Sequence, residues 1–150
     1  MKQERPELGL DYLMSGGLGH LTSAVRNAIF ARLEIELAPL ELTSAQFIVV
    51  IGAMRGRART VNEFCAFAGI DAGSMSRLLD RLEAKGIVRR VREGADRRQV
   101  QVELTEKGQA LSPQIMPAIA RVYGRFLHGF SEDEAMQLQR LLQRLLANGG

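Results

Sequence analysis

Hydrophobic spacing changes period once along this chain, and that change limits the folds open to it. Between Gly86 and Leu104 the helical spacing of the preceding residues gives way to alternation. Gln99-Val-Gln-Val-Glu-Leu104 puts Val100, Val102 and Leu104 on one face, the pattern of a strand with one wet side. Ile87-Val-Arg-Arg-Val-Arg92 is β-branched and charged, and Gly94 and Asp96 supply turn chemistry between the two runs. The segment therefore reads as an antiparallel hairpin whose tip carries Arg97 and Arg98 side by side. Two adjacent guanidinium groups repel, so they are either screened by water or held ready for an anion.

Helices surround the hairpin, and their starts are written in the caps. Thr43-Ser-Ala-Gln46, Thr60-Val-Asn-Glu63 and Ser131-Glu-Asp-Glu134 each fit a capping box, a hydroxyl followed three residues later by Glu or Gln. Asp71 and Thr105 can cap two further segments. Reading forward from these caps predicts helices near 43–55, 61–68, 72–85, 106–128 and 132–147, after a first helix near 12–36. That first helix aligns Leu18, Leu21, Val25, Ala28 and Ile29 along one side, and Pro39 marks its end. Pro113 and Pro117 each remove an amide donor, so a bend or a frayed first turn is expected in the fifth helix. The predicted fold is mainly α (α+β), a single unit over 1–150.

In the last helix Leu138, Leu141, Leu142, Leu145 and Leu146 form one apolar stripe. Packing on the chain's own core is one reading. Pairing of the long, Leu-, Ile- and Ala-rich terminal helices across a two-fold axis is the better one, because few other residues remain to build a core against them. The chain is thus expected to be a homodimer.

Charge is unevenly placed. Net charge is only +3, yet Arg55 to Arg98 holds eleven Lys and Arg against six Asp and Glu, a local +5. The remaining residues carry −2 by the same count. A polyanion would meet the middle third. Helix 61–68, a turn at Gly69-Ile70 and helix 72–85 make a helix-turn-helix within that basic region. Met75, Leu78, Leu79 and Leu82 form the buried stripe of the second helix. The opposite face carries Gly73, Ser76, Arg77 and Asp80, with Ser74 and Arg81 at its margins. Small polar residues suit a close approach to base edges, and Arg77 can bond guanine in a bidentate way. Helix-turn-helix, hairpin and confined positive charge together point to double-stranded DNA as the partner.

Three stretches resemble the MarR family of transcriptional regulators: Leu42-Thr43 through Gln46-Phe47, Asp71 through Gly86, and Asp96-Arg-Arg98 to Leu104-Thr105-Glu-Lys-Gly108. The most specific element is Asp-x-Arg, five residues, then Leu-Thr, matched by Asp96, Arg98, Leu104 and Thr105. The resemblance covers nearly the whole chain. It implies a homodimeric winged helix-turn-helix protein, usually a repressor, whose grip on DNA changes with a small ligand or oxidation. The winged lobe would span 42–105, with dimerisation helices in 10–41 and 106–148. Carried over residue by residue, the resemblance puts Ser74, Ser76 and Arg77 in the major groove and Arg98 in the minor groove, with Asp96 holding an arginine in position. A narrow, strongly negative minor groove independently favours an Arg on a thin hairpin. Arg89, Arg90, Arg92 and Arg97 are expected at phosphates, adding affinity without sequence choice. Two recognition helices related by a two-fold axis would meet major grooves roughly 34 Å apart. The rival readings are a winged-helix module that binds protein, and a sequence-indifferent nucleoid protein.

Other chemistries find little support. Cys65 lies between Phe64 and Phe67, a setting that favours an inert thiol over a redox sensor. His20 and His128 are the only histidines and have no metal-ligand spacing, so no metal or cofactor is expected. No nucleophile elbow, phosphate-binding glycine loop or paired-carboxylate motif is present, and the chain is not expected to be an enzyme. Related regulators bind ligands in a crevice between dimerisation helices and winged lobe. By that analogy His20, Arg26, Phe47 and Met54 would touch an anionic aromatic effector, Arg26 holding its carboxylate or phenolate. No apolar run of about 18 residues and no apolar leader occur, so a cytoplasmic protein that does not enter a membrane is expected.

Overall fold

The computed structural model describes residues 7–14, 16–92 and 100–149. Its order is α1 (Leu10–Met14), α2 (Gly17–Leu37), a 3-10 turn (Ala38–Leu40), α3 (Ser44–Met54), α4 (Val61–Ala68), α5 (Ala72–Ala84), β1 (Val88–Val91), β2 (Gln101–Leu104), α6 (Glu106–Ala110), α7 (Ser112–Phe126) and α8 (Glu132–Gly149). Among the described residues no single helix is long and apolar enough to cross a membrane.

The caps act as the sequence predicts. Thr43 and Thr60 each close a full capping box, with Gln46 and Glu63 answering from N3. The Ser131 amide donates to Glu134 Oε2 at 2.8 Å, and the Glu134 amide to Ser131 Oγ at 3.2 Å. At the start of α5 the Ser74 amide donates to Asp71 Oδ1 at 2.9 Å and the Ser74 hydroxyl to Oδ2 at 2.7 Å. These bonds favour the carboxylate, and they hold Asp71 below the ordinary aspartate pKa, the hydroxyl contributing most and the amide next.

Two predicted helices are broken. The expected helix at 12–36 is α1 and α2, separated at Gly16 and Gly17, whose φ values of 85° and 39° leave the right-handed region. The expected helix at 106–128 is α6 and α7, meeting at Leu111. Pro113 cannot donate to the carbonyl four residues back and its ring crowds that carbonyl, so the helix restarts with Pro113 in its first turn. Pro117 is accommodated inside α7.

The core forms where α2, α3, α5, α7 and the sheet converge. Phe64, Met75, Leu79, Leu82, Val49, Val50, Ile115 and Val122 are fully buried, together with Leu33 and Leu37 from the end of α2. Gly52 lets α3 and α4 close on each other, since a Cβ there would stand 3.0 Å from the Phe67 ring. Cys65 is half-buried at the rim of this core rather than enclosed by its flanking phenylalanines, and Phe67 is 43% exposed. By contrast Leu18, Leu21 and Val25 of α2 and the leucine stripe of α8 are exposed, and α8 has no buried residue. Among the described residues nothing covers this apolar surface.

The hairpin pairs Val88 with Leu104, Arg89 with Glu103, Arg90 with Val102 and Val91 with Gln101. Thr60 bridges Gln101 on the free edge of β2, and the Val102 amide donates to the Arg59 carbonyl at 2.7 Å. The sheet is closed at its root by Thr105. Its amide donates to the Ile87 carbonyl at 3.0 Å, and its hydroxyl reaches the Gly86 carbonyl at 2.5 Å. Gly108 packs against the same segment so closely that a Cβ would lie 2.2 Å from the Ile87 carbonyl oxygen.

Two outcomes are expected. Gly108→Ala must displace backbone, so urea unfolding should show a loss of at least about 1–3 kcal/mol. For Asp71 the depressed folded pKa means its stabilisation is complete above the unfolded aspartate value of about 4 and fades as pH falls through the lower folded value. Asp71→Ala should therefore lower Tm at neutral pH, with the gap from wild type narrowing below about pH 4; a constant gap would contradict the assignment.

Candidate nucleic-acid interface

α4 and α5 meet through a tight corner. Gly69 takes φ 67° at the end of α4, and the amides of Gly69 and Ile70 both donate to the Cys65 carbonyl. The turn sends α5 across α4 with Met75, Leu79 and Leu82 inward and Leu78 partly buried. What remains outward is the face bearing Gly73, Ser76, Arg77 and Arg81, all exposed, with Ser74 half-buried. That is the face read from the sequence, with Asp80 exposed on it as well.

The side chains on this face are partly ordered in advance. Arg77 Nη2 donates to Ser74 Oγ at 3.2 Å, while that hydroxyl donates to Asp71. Capping carboxylate, serine and arginine thus form a chain along the first turn of α5. Arg77 and Arg81 also border a groove of about 320 Å³ against Thr43, Ala45 and Gln46 at the start of α3. Among the described residues Arg81 has no ion pair, so its charge is available to a partner.

The basic residues of the hairpin differ from one another. Arg89 bonds Glu103 directly across the sheet through Nε and Nη2, at 3.1 and 2.9 Å. Arg90 turns to the other face, where its guanidinium meets Asp80, Glu83 and the Ser76 carbonyl. It is a quarter exposed, against 63% for Arg89. Arg92 is exposed and has no ion pair among the described residues. Asp96, Arg97 and Arg98 lie outside the described residues, with the expected Gly94 turn. Sequence reasoning missed the internal engagement of Arg89 and Arg90. Glu103 directly opposite Arg89 in a predicted hairpin was the available signal for the first.

Lys85 and Lys107, also basic, serve the framework. Lys85 Nζ donates to the Glu41 carbonyl and to Gln46 Oε1, tying the end of α5 to the start of α3. Lys107 Nζ donates to the Lys85 carbonyl at 2.8 Å. Two acids on α2 complete the frame. Glu34 accepts from the Ser44 amide and hydroxyl at 2.9 and 2.7 Å. Glu36 accepts from Arg121 of α7 at 2.8 Å and from Arg32, and the Arg121 bond is the main cause of its lowered pKa.

The four expected effector contacts are not brought together. Phe47 is in the core, His20 is exposed on the first turn of α2, and Arg26 stacks 4.3 Å over Phe30 on its own helix. Only Met54 borders a sizeable cleft, of about 670 Å³, where the end of α3 faces the outer side of the sheet and the start of α7. Its polar neighbours are Arg59, Gln101, Gln109, Ser112 and the paired Arg89 and Glu103. Arg59 was not singled out from the sequence. Its amide donates to Glu63 Oε2 at 2.6 Å, leaving the guanidinium exposed at the mouth. Among the described residues no three His, Cys, Asp or Glu gather as metal ligands would.

A MarR family model matches residues 39–99. The chain is 32% identical over 130 residues to the multiple antibiotic resistance protein MarR of Escherichia coli K12, covering 86% of this chain and 90% of that protein. A crystal structure of mutant E. coli MarR complexed with operator DNA aligns with TM-score 0.78 at 30% identity, over 93% of this chain and 99% of the other. A MarR transcriptional regulator from Methanosarcina mazei Go1 shares the fold at TM-score 0.81 and 23% identity, over 88% of this chain and 95% of that one. With its caps, corner, winged sheet and framework bonds arranged as described, the chain belongs to the MarR family of transcriptional regulators.

Proposed function

We propose that this protein is a homodimeric, sequence-specific DNA-binding regulator, most simply a ligand-responsive repressor of a pseudo-palindromic operator. The observation that carries the reading is the outward face of α5. It presents small and cationic residues on a helix whose opposite face is locked in the core, while the winged sheet rises beside it. Gly73, Ser74, Ser76, Arg77 and Arg81 are the proposed major-groove residues. Gly73 allows close approach, and Arg77 is poised by Ser74. The winged lobe is assigned to 42–105, with Arg89, Arg92 and Arg97 at phosphates, Arg98 in the minor groove and Asp96 orienting it. The helices in 10–41 and 106–148 supply the dimer contacts, which would cover the exposed Leu18, Leu21, Val25 and α8 leucines. The similar E. coli protein in complex with operator DNA supports the same use of this fold. Regulation of transcription, not catalysis, is the role, and the cytoplasm is the proposed compartment.

The effector is proposed to be a small organic anion in the cleft between α3, the sheet and α7. Met54 would contact its apolar part and Arg59 its charge. The position suits control, because the cleft touches both the root of the wing and the helices proposed to join the dimer. Binding there can shift the heads by differential affinity for two arrangements, a coupling of about 1–3 kcal/mol.

Duplexes selected from random sequence should share an inverted repeat, with half-sites about one helical turn apart. With about eight phosphate contacts per dimer, log K should fall by about seven per tenfold rise in salt, whereas a flat dependence would exclude DNA. Arg77→Ala should weaken binding to the selected duplex by about fivefold or more, from about 1–3 kcal/mol of lost base contact, with the dimer intact in sedimentation. Random duplex competing as well as the selected one would favour sequence-indifferent binding instead. For the effector, aromatic acids should release wild type from the selected duplex in a gel shift and release Arg59→Ala only at higher concentration.

A further inference from the structure

Arg90 stands next to Arg89 in sequence but points to the opposite face of the sheet, onto α5. Its Nη1 donates to Asp80 Oδ1 at 2.7 Å and to Glu83 Oε2 at 2.8 Å, and its Nη2 donates to the Ser76 carbonyl at 3.1 Å. The Arg90 amide donates to the other oxygen of Glu83 at 3.1 Å. Residues 76, 80 and 83 share one side of a helix, so a single arginine straps β1 along two turns of α5. Three-quarters of the side chain is shielded, and three of its five N–H donors are committed to partners on three residues of α5. That shielding and commitment turn the guanidinium toward α5 and away from a phosphate.

Resting on the DNA-binding reading above, we propose that Arg90 is a positioning residue and not a phosphate contact. It fixes the angle between the recognition helix and the wing, so that both reach their grooves in one docking step. A planar guanidinium suits this role because its rigid fork spreads donors over two nitrogens to reach two carboxylates and a carbonyl, whereas a lysine's three donors all leave one atom. The strap also holds the carbonyl of Ser76, itself on the proposed reading face. Asp80 and Glu83 acquire a function that their charge alone opposes, since two carboxylates beside a polyanion repel it.

That opposition gives a test by sign. Binding of the full-length dimer to a duplex selected by wild type, and to random duplex, is measured across a salt series. Removing a carboxylate by Glu83→Gln or Asp80→Asn should raise affinity if the groups act only through charge. As parts of the strap they should lower it, by about fivefold or more for Glu83→Gln, and mainly on the selected duplex. Arg90→Lys should lose nearly as much as Arg90→Ala, while the salt slope stays at the wild-type value. The proposal is overturned if Glu83→Gln binds as tightly as wild type or tighter. It is equally overturned if Arg90→Lys keeps full affinity, or if Arg90→Ala lowers the slope by about 1.8, as loss of one phosphate contact per protomer requires. Asp80→Asn alters only the more exposed end of the strap, and with Glu83→Gln, which leaves Arg90 itself in place, it keeps the test available should Arg90→Ala not fold. Wild type failing to select any duplex would refute the DNA-binding reading itself, a distinct result from a wild-type-like Glu83→Gln.

Discussion

The close seating of Thr105 and Gly108 on the Gly86–Ile87 backbone is the constraint on which the functional half of this molecule depends. Helix α5 ends there, β1 begins there, and β2 hands over to α6 and α7. One hydroxyl and one amide bind adjacent carbonyls, and a residue without a side chain lets the α6 backbone lie against them. Lys107 adds a bond to the Lys85 carbonyl at the same junction. A displacement of α6 would therefore be passed to the base of the hairpin and the end of α5, since these bonds join them directly. A short, hydrogen-bonded junction transmits such shifts because it has few soft torsions to absorb them.

Electrostatics in this region follow geometry more than charge count. Eleven basic residues lie between Arg55 and Arg98, yet several are occupied by the protein itself. Arg89 faces Glu103, Arg90 faces Asp80 and Glu83, and Lys85 serves α3. Among the described residues, the cationic groups left for a partner are Arg77 along the first turns of α5, Arg81 beyond it, Arg92 where the described wing ends, and Arg55, Arg57 and Arg59 between α3 and α4, while Arg89 stays largely exposed beside Glu103. The bond to Ser74 also orders Arg77 before any ligand arrives, which reduces the entropy lost on binding.

Much of the fold was legible because its signals are local. Capping boxes at Thr43, Thr60 and Ser131 need only four residues each, and all three form. The alternation from Val100 to Leu104 needs only neighbouring residues, and it appears as β2 with Val102 buried. Helix interruptions were less legible. Pro113 announced a disturbance but not that the chain would restart as a separate α7, and the Gly16-Gly17 pair within an otherwise helical pattern was not read as a break. The effector residues were the least legible. Analogy placed Phe47 in a crevice, whereas the core claims it, and Arg59 was passed over because its exposure beside β2 depends on a bridge from Thr60 to Gln101.

By itself the sequence determined which segments are helix or strand, which face of α5 turns outward, and which family the chain resembles. Each follows from spacing and capping along a few consecutive residues. Tertiary structure alone decided which arginines are free, because a guanidinium is claimed by whichever carboxylate lies within about 3 Å, and that partner is set by packing. Arg89 and Arg90 are identical and adjacent, yet strand pleating sends one to Glu103 and the other to α5. Only the packing of β1 on α5 could separate a side chain available to DNA from one that holds the reading head together.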